Sequence, residues 1–385
     1  MYKIHTAVQL AEKLAEAKGG GHMARAQLKE ALSTSDLPEL FRVVNQYAML
    51  SQYEQVQPIW EQFSTRWGVP DFRPQRFMRW ETDLSQLVNS NGGFTRQALA
   101  LPRIPELTEY PTFTLEAEEE LFAINKYGGR YAFSFESILN DEYQAIQQLP
   151  GEMAGSARDT EDVLTTGVLA GPTGMNPAFF NTSWDFGPGS PNGNIMEGNP
   201  ALSLDALTEA IAQITARRLG NANQRPVRIQ RWVLVVPPAL ETLADTILAQ
   251  ANIVRTTPDG SGGTIETTMA NPLSGRVRRV TNEWLPILDT SENSASTWYL
   301  LPDGAAASGR NRPAIITTFL SGRETPELRI SGDTGNYIGG GEVPGLEGSF
   351  VNDDVQYRVR HITGAVGVDP SGTMASNGSG EDSGS

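Results

Sequence analysis

The sequence contains no cysteine, few histidines and little lysine. Among its 385 residues are 3 histidines, and the lysines are Lys3, Lys13, Lys18, Lys29 and Lys126. The absence of cysteine excludes disulfide bonds, thiolate metal sites and cysteine nucleophiles. Packing or assembly must therefore stabilise the fold.

The sequence also lacks a long apolar run and an excess of positive charge. No stretch of about 18 apolar residues is present, and the start, MYKIHTAVQLAEKLAEAKGG, lacks the order of a signal peptide. The formal net charge is -15, whereas nucleic-acid-binding surfaces collect lysine and arginine. We expect a protein that is not inserted in a membrane and does not hold DNA tightly.

The three histidines do not indicate a catalytic site. His5 and His22 flank a glycine run, which favours a surface position. His361 falls in the strand-like segment VQYRVRHIT, where alternation places it with apolar residues and favours a packed histidine over a general base.

Two further motifs have a superficial likeness to binding sites. The glycine run at 335–345 lacks the lysine of a phosphate-binding loop. The acidic cluster at 116–120 lies in a strand-like segment, where consecutive carboxylates point to opposite faces, so it indicates a solvated or partner-facing charge. We predict no catalytic, cofactor-binding or metal-binding residues, and no enzyme.

Residues 1–100 are predicted to form an N-terminal helical arm, because apolar residues recur at near-helical spacing up to about residue 67. The end of this arm interleaves aromatic residues with arginines. They are Trp60, Phe63, Trp67, Phe72, Phe77 and Trp80, with Arg66, Arg73, Arg76 and Arg79. This patch suits docking on another protein surface or, as an alternative, single-stranded nucleic acid binding.

The middle of the chain combines a strand pattern with a helical pattern. Residues 101–136 alternate apolar and polar residues around the acidic cluster, which predicts two long strands in a projecting hairpin. An isolated hairpin is only marginally stable, so it needs a support such as a neighbouring subunit. Helical spacing follows on both sides of Pro150. We place a break at Leu149 and begin a longer helix at Pro150, because proline is tolerated at a first helical position.

Residues 200–325 alternate helical and strand patterns, as in an α+β or α/β unit. Ser203 is the predicted N-cap of one helix, 232–236 a buried strand, and Pro238 part of the first turn of the next helix. The segment 257–272 is predicted to be a loop. The small, polar residues 371–385 are predicted to be a flexible tail.

The order of several segments resembles that of the major capsid proteins of tailed bacteriophages. The segments are KYGGRYAFSFESILNDEYQAIQQLPGEMAGSARDTEDVL, RWVLVVPPALETLADTIL, NPLSGRVRRVTNEWLP, WYLLPDG with PAIITTFLSG, and FVNDDVQYRVRHITGAVGVDP. The resemblance covers roughly residues 100–370 and implies the α+β fold named after phage Hong Kong ninety-seven. It also implies a structural protein that needs no cofactor.

The resemblance implies a domain division. It consists of an N-terminal helical arm at 1–100, an extended hairpin loop at 101–136, a peripheral domain with a long spine helix at 137–199 and 326–370, an axial domain at 200–325, and the flexible tail at 371–385. The extended loop is expected to lie over a neighbouring subunit.

The function implied by the resemblance is that of a major capsid (head) protein. It would self-assemble into hexamers and pentamers that form the icosahedral virion shell around a double-stranded DNA genome, in the host cytoplasm. Expected partners are portal, scaffolding and decoration proteins, with weak nonspecific DNA contact and no membrane. Alternatives are an encapsulin-like shell around protein cargo and, more distantly, a soluble hydrolase.

Some relatives cross-link a lysine of the extended loop to an asparagine on a neighbouring subunit. Lys126 is the lysine of this chain that falls in the predicted loop, and Asn352 is an available asparagine. The resemblance makes this cross-link a minor hypothesis for the present sequence.

Overall fold

A computed structural model describes most of the chain after the N-terminal segment. It covers residues 49–83, 106–107, 109, 114–134, 143–186, 193–219, 225–227, 229–250, 252–258, 264–304, 313–331, 338, 352 and 354–380. His5, His22 and nearly all of the glycine run at 335–345 lie outside the described residues, as does most of the predicted helical arm.

The described residues form both helices and strands. The α-helices are α1 (Tyr143–Leu169), α2 (Leu204–Ala216), α3 (Glu241–Ala249) and α4 (Leu285–Leu288). The strands are β1 (Thr65–Val69), β2 (Gln75–Asp83), β3 (Thr114–Phe122), β4 (Asn125–Ser134), β5 (Ala170–Gly171), β6 (Gly174–Met175), β7 (Arg218–Leu219), β8 (Arg225–Pro226), β9 (Trp232–Val236), β10 (Asn252–Pro258), β11 (Thr264–Ala270), β12 (Val277–Thr281), β13 (Trp298–Pro302), β14 (Ile315–Leu320), β15 (Glu327–Ser331), β16 (Asp354–Gly367) and β17 (Met374–Ser376).

The chain divides into two units. Unit 1 consists of Met1–Gln57, Asn125–Thr160 and Leu320–Thr363, and unit 2 of Pro58–Ile124, Glu161–Phe319 and Gly364–Ser385. This division differs from the predicted one, because β4 belongs to unit 1 whereas β3 belongs to unit 2.

The sheet of unit 1 has β16 between β15 and β4, and both neighbours run antiparallel to it. Alternate residues of β16 are buried, which places one face of the sheet on a core. Helix α1 covers that face. The core is formed by Met49, Tyr53, Leu149, Met153, Ala154, Ala157, Leu328, Val355, Tyr357 and Val359. The sheet therefore has one covered face and one face of polar residues.

Gly128 allows β4 to lie close to β16. A Cβ atom at this position would meet the carbonyl oxygen of Val359 at 2.2 Å, far inside the normal contact distance. Because the colliding atom is backbone, a larger residue at 128 requires the two strands to separate.

Helix α1 continues through Pro150, so the predicted break at Leu149 is wrong. The helix begins at Tyr143, seven residues before the proline, and ends at Leu169. A proline inside a helix removes one hydrogen bond and costs about 3 kcal/mol. Leu149 and Met153, four residues apart on the same helical face, are both buried in the core of unit 1. Their packing holds the helix continuous across the proline.

The predicted hairpin of two strands within 101–136 is also wrong. Both strands exist, but β3 pairs with β2, from Gln75↔Phe122 to Asp83↔Thr114, and β4 pairs with β16. The strand alternation was visible in the sequence, whereas the pairing partner was not, because pairing depends on contacts distant in the chain. The long two-stranded ribbon is therefore formed by β2 and β3.

The central sheet of unit 2 has the strand order β12-β9-β13-β17. Strand β9 is fully buried, as its apolar sequence predicts. Trp232, Leu234 and Val236 pack with helices α2 and α3 in one core, and Val233 and Val235 pack in a second core on the other face. This sheet is consequently covered on both faces.

The two helices beside this sheet begin as the sequence predicts. The hydroxyl oxygen of Ser203 accepts a hydrogen bond from the Ala206 amide at 3.1 Å, which confirms it as the N-cap of α2. Pro238 opens a short 3-10 turn that leads into α3. The segment predicted as a loop at 257–272 instead contains parts of β10 and β11, which pair as an antiparallel ribbon.

The prediction of a flexible tail at 371–385 is wrong for residues 371–380. Strand β17 pairs with β13 and is fully buried. The buried guanidinium group of Arg217 donates hydrogen bonds to the carbonyl oxygens of Ser371, Thr373 and Gly193, at 2.7, 2.9 and 2.8 Å. The segment is too polar to fold alone, but it folds as the edge of a sheet whose other strands supply the apolar surface.

The end of the predicted helical arm belongs to the body of unit 2. Trp60 and Phe63 are buried in a core, and β1 lies beside β14. The indole Nε1 of Trp60 donates a hydrogen bond to Glu161 Oε2, and its backbone amide donates one to Asp162 Oδ1, both at 2.8 Å. The aromatic spacing was interpreted as a docking arm because sequence does not distinguish intramolecular from intermolecular docking.

Candidate assembly interfaces

The ribbon of β2 and β3, here called the acidic ribbon, carries a strong negative charge. Its two strands contain six carboxylates, at positions 81, 83, 116, 118, 119 and 120, and two arginines, so four negative charges are in excess. Nine residues on each strand correspond to a length of about 30 Å. Glu119 is ion-paired with Arg76 at 3.1 Å, and Glu120 is exposed.

A two-stranded ribbon in isolation is only marginally stable in water. In the described part of the chain, no third strand pairs with the acidic ribbon or with the ribbon of β10 and β11. Ribbons of this kind are suited to lie on another surface. The acidic cluster predicted to face solvent or a partner lies on such a ribbon.

The polar face of the unit 1 sheet, here called the cationic face, carries a row of arginines. Arg358 on β16 lies directly opposite Arg329 on β15 and Arg130 on β4. Successive strands are about 4.8 Å apart, so the three positions lie within about 10 Å. All three side chains are exposed. Like charges directly opposite one another on a sheet are destabilising, so this arrangement needs a compensating anion.

One carboxylate on this face is shared by several arginines. Glu327 contacts Arg329 at 2.5 Å and Arg323 at 4.0 Å, and it also forms an ion pair with Arg360. Partial burial acts to raise the pKa of Glu327, but hydrogen bonds and charges from Arg329 and Arg360 outweigh it and hold the pKa below its ordinary value. These residues line an open cavity of about 390 Å³.

Two arginines of the row, Arg130 and Arg358, are not among the described partners of Glu327, so their charges are less well neutralised within the chain. Arg130 donates a hydrogen bond to the neutral amide of Gln356 at 3.3 Å. Among the described residues, no ion pair joins Arg130 or Arg358 to a carboxylate. The cationic face is not among the features predicted from the sequence. The alternation of Arg358 and Arg360 in VQYRVRH was a visible signal, but the opposing arginines are distant in the chain.

The structure places the candidate residues of the sequence as follows. Lys126 is exposed on β4, opposite Ile362 of β16. His361 is buried and packs edge-on against Tyr53, with ring centroids 6.0 Å apart, as the strand alternation predicts for a core position. Asn352 is an exposed turn residue. A cross-link of Lys126 to an asparagine on a neighbouring subunit stays a prediction, which a denaturing gel of assembled particles tests.

The aromatic and arginine patch is divided between the core and the surface. Trp60 and Phe63 are buried, whereas Trp67 and Phe72 are 44% and 49% exposed. Trp67 packs edge-on against Phe77, at the base of the acidic ribbon, with centroids 5.8 Å apart. Arg66 lies 4.5 Å from the ring centre of Phe319, a cation-π contact within unit 2. The exposed aromatics extend the contact surface available beside the ribbon.

The described residues contain no group of three or more histidine or acidic side chains arranged to hold a metal ion. Within the same residues, no helix has the length and apolar character needed to cross a membrane. The features singled out in the described residues are therefore charged surfaces and two-stranded ribbons.

A comparison with protein families identifies this class more closely. Residues 117–375 match the model of the family described as phage capsid protein. The match covers more than half of the chain, so the chain belongs to the phage capsid protein family. As a member of that family it is a structural protein of a phage capsid. No curated protein matches the sequence.

Solved structures with a similar fold include phage capsids and an encapsulin. Mycobacterium phage Patience is 12% identical, with a TM-score of 0.41 over 90% of this chain and 88% of that one. The capsid of cyanophage P-SCSP1u is 11% identical, with a TM-score of 0.43 over 83% and 87%. The encapsulin SrpI of Synechococcus elongatus is 10% identical, with a TM-score of 0.42 over 84% and 89%.

Proposed function

We propose that the protein forms the hexameric and pentameric capsomers of a shell that encloses the double-stranded DNA genome of a tailed phage. The family match over residues 117–375 carries this proposal. The two-stranded ribbons support it, since a closed shell is built from head-to-tail contacts between identical subunits, and ribbons without a third strand among the described residues can add contact area between subunits.

Each unit has a role in this proposal. Unit 1 acts as the peripheral domain and contains the part of the spine helix α1 up to Thr160, and the central sheet of unit 2 is the body of the axial domain. The acidic ribbon takes the role of the extended loop that lies over a neighbouring subunit. The mixed residue ranges of the two units support a fold in which the chain passes repeatedly between domains.

The net charge supports weak, nonspecific contact between the shell and the packaged DNA. A chain with a formal charge of -15 repels the phosphate backbone at long range, which suits a container that must release its genome. Assembly takes place in the host cytoplasm, and portal, scaffolding and decoration proteins are the partners of the shell. These partners are inferred from the family alone.

The experiment is electron microscopy of the protein purified from the cells that naturally produce it, together with extraction of nuclease-protected nucleic acid. The expected result is uniform icosahedral particles that protect double-stranded DNA. Particles that hold protein cargo and no DNA would overturn the genome part of the proposal and favour an encapsulin-like shell. A monomer of about 42 kDa under conditions in which the particles should persist would overturn the shell itself.

A further inference from the structure

The cationic face and the acidic ribbon have opposite charge, and each carries an excess of one sign. The sheet part of the cationic face carries Lys126, Arg130, Arg329, Arg358 and Arg360 against the carboxylates of Glu327 and Asp354. Five cations and two carboxylates leave an excess of three positive charges. The acidic ribbon carries an excess of four negative charges. In a chain with a net charge of -15, a concentrated cationic surface is unusual and calls for an anionic partner.

The row of Arg130, Arg358 and Arg329 is the central observation. Cross-strand neighbours have Cβ atoms about 5 Å apart, so the three guanidinium groups repel one another in the isolated subunit. The nearest shared carboxylate, Glu327, is already bonded to Arg329 and Arg360. An external row of carboxylates relieves this repulsion, because arginine forms short, charge-assisted hydrogen bonds with carboxylates.

The acidic ribbon needs a surface of the opposite charge. It is a two-stranded element that lacks a third strand among the described residues and needs a surface to lie on. Strand β3 contains four carboxylate residues within five consecutive positions, at 116, 118, 119 and 120, which correspond to about 13 Å of extended backbone. This length is comparable to the width of the arginine row, which is about 10 Å.

We propose that the cationic face of one subunit binds the acidic ribbon of a second copy of this chain, with the arginine row facing the carboxylates of β3. The proposal rests on the proposed shell, in which identical subunits meet. It names the residues that hold the ribbon and assigns the contact to charge. It also explains how a cationic surface is compatible with weak DNA contact, since assembly covers that surface with protein.

The first experiment uses the absence of native cysteine. Ala132→Cys places a thiol at an exposed position on the cationic face, and Ala117→Cys places one in the middle of β3. The two single variants are co-assembled and treated with a short bismaleimide. We expect a covalent dimer on a denaturing gel that is several-fold stronger than in particles of either variant alone. A matched control replaces Ala132→Cys with Ser274→Cys, an exposed position in unit 2. Equal dimer in the control and test mixtures overturns the proposal.

The second experiment tests charge directly. Arg130→Glu with Arg358→Glu should lower the assembled fraction at least tenfold, and Glu118→Arg with Glu120→Arg in the same chain should restore it. Arg276→Glu, an exposed arginine of unit 2, is the control for charge change alone. The isolated subunit of the Arg130→Gln and Arg358→Gln variant should melt at the same or a higher temperature, because a repulsion is removed. Normal assembly of the charge-reversed variant overturns the proposal.

Three outcomes separate this proposal from the shell and from DNA binding. If the wild-type chain forms no particles, the proposed function fails. If the wild-type chain and the arginine variants form particles equally well, only the contact proposed here fails. If the variants assemble normally but protect less DNA than the wild type, the cationic face binds nucleic acid and the contact with the ribbon is overturned.

Discussion

The two largest sheets among the described residues differ in how they are covered. The central sheet of unit 2 has apolar side chains on both faces, and its strands β9 and β13 are fully buried. The sheet of unit 1 packs on one face only and presents a row of like charges on the other. The first sheet is complete within one chain. In the second, the proposed contact with another subunit would neutralise the charges of the exposed face.

The largest predicted effect concerns the central sheet of unit 2, which is covered on both faces. Leu300 of β13 is fully buried, so Leu300→Ala should lower the free energy of unfolding by about 2–5 kcal/mol through lost burial and a residual cavity. Urea denaturation of the unassembled subunit measures this loss. Ile287→Ala, at a residue that is 62% exposed, is the control and should change stability by less than about 0.5 kcal/mol. If both variants lost a similar amount of unfolding free energy, the account of β13 as a core strand would be contradicted.

The second prediction concerns the edge of the same sheet. Arg217→Met removes three hydrogen bonds to buried backbone carbonyl groups, which should cost roughly 1–3 kcal/mol and release residues 370–376. Limited proteolysis should cut this segment in the variant and spare it in the wild-type chain. Burial lowers the pKa of Arg217 to about 9, and the charge of Asp369 opposes this shift, so the guanidinium group is protonated at neutral pH. Equal protection of the segment in both chains would show that Arg217 does not hold it.

A smaller change of opposite sign is predicted in unit 1. Pro150→Ala restores a helical hydrogen bond that a proline denies, worth about 3 kcal/mol on the propensity scale. Loss of the buried ring, roughly two methylenes at about 0.8 kcal/mol each, opposes this gain. We expect the subunit to be stabilised by about 1 kcal/mol in urea denaturation. Pro238→Ala, at the start of a helix, is the matched control and should not stabilise. Destabilisation by Pro150→Ala would mean that α1 needs the proline.

The smallest effect concerns the cationic face. The pKa of Glu327 is lower in the folded chain than its ordinary value of 4.5, so the unfolded chain binds the proton more readily. The contribution of Glu327 to stability is therefore present above pH 4.5 and is lost as the pH falls through the lowered pKa. Thermal unfolding between about pH 6 and pH 3 should show a shallower acid slope for Glu327→Gln than for the wild type. Identical slopes would contradict the shared ion pairs with Arg329 and Arg360.

The sequence predicted the locally determined parts of the fold. The cap at Ser203, the buried strand at 232–236 and the core position of His361 follow from local spacing, and the structure confirms them. The continuous helix through Pro150 was not predictable in this way, because packing of Leu149 and Met153 outweighs the local preference of proline.

Pairing between distant segments accounts for the remaining differences. The acidic cluster was interpreted as a solvated or partner-facing charge on a strand, but the pairing of that strand with β2 was not predicted, since alternation does not identify the strand opposite. The arginine row requires the register of three strands, at 130, 329 and 358, and these positions are far apart in the chain. Strand β17 likewise folds only because it pairs with the apolar strand β13. The small, polar composition of the final segment does not reveal this partner, so it predicted a flexible tail.

Cryo-electron microscopy of assembled particles, at a resolution that shows side chains, is the most direct test of the central claim. The account predicts hexamers and pentamers in which the arginine row at 130, 358 and 329 of one subunit lies under the carboxylates of the acidic ribbon of another. A shell in which this sheet face is bare to solvent, or in which packaged DNA covers it, would contradict the account.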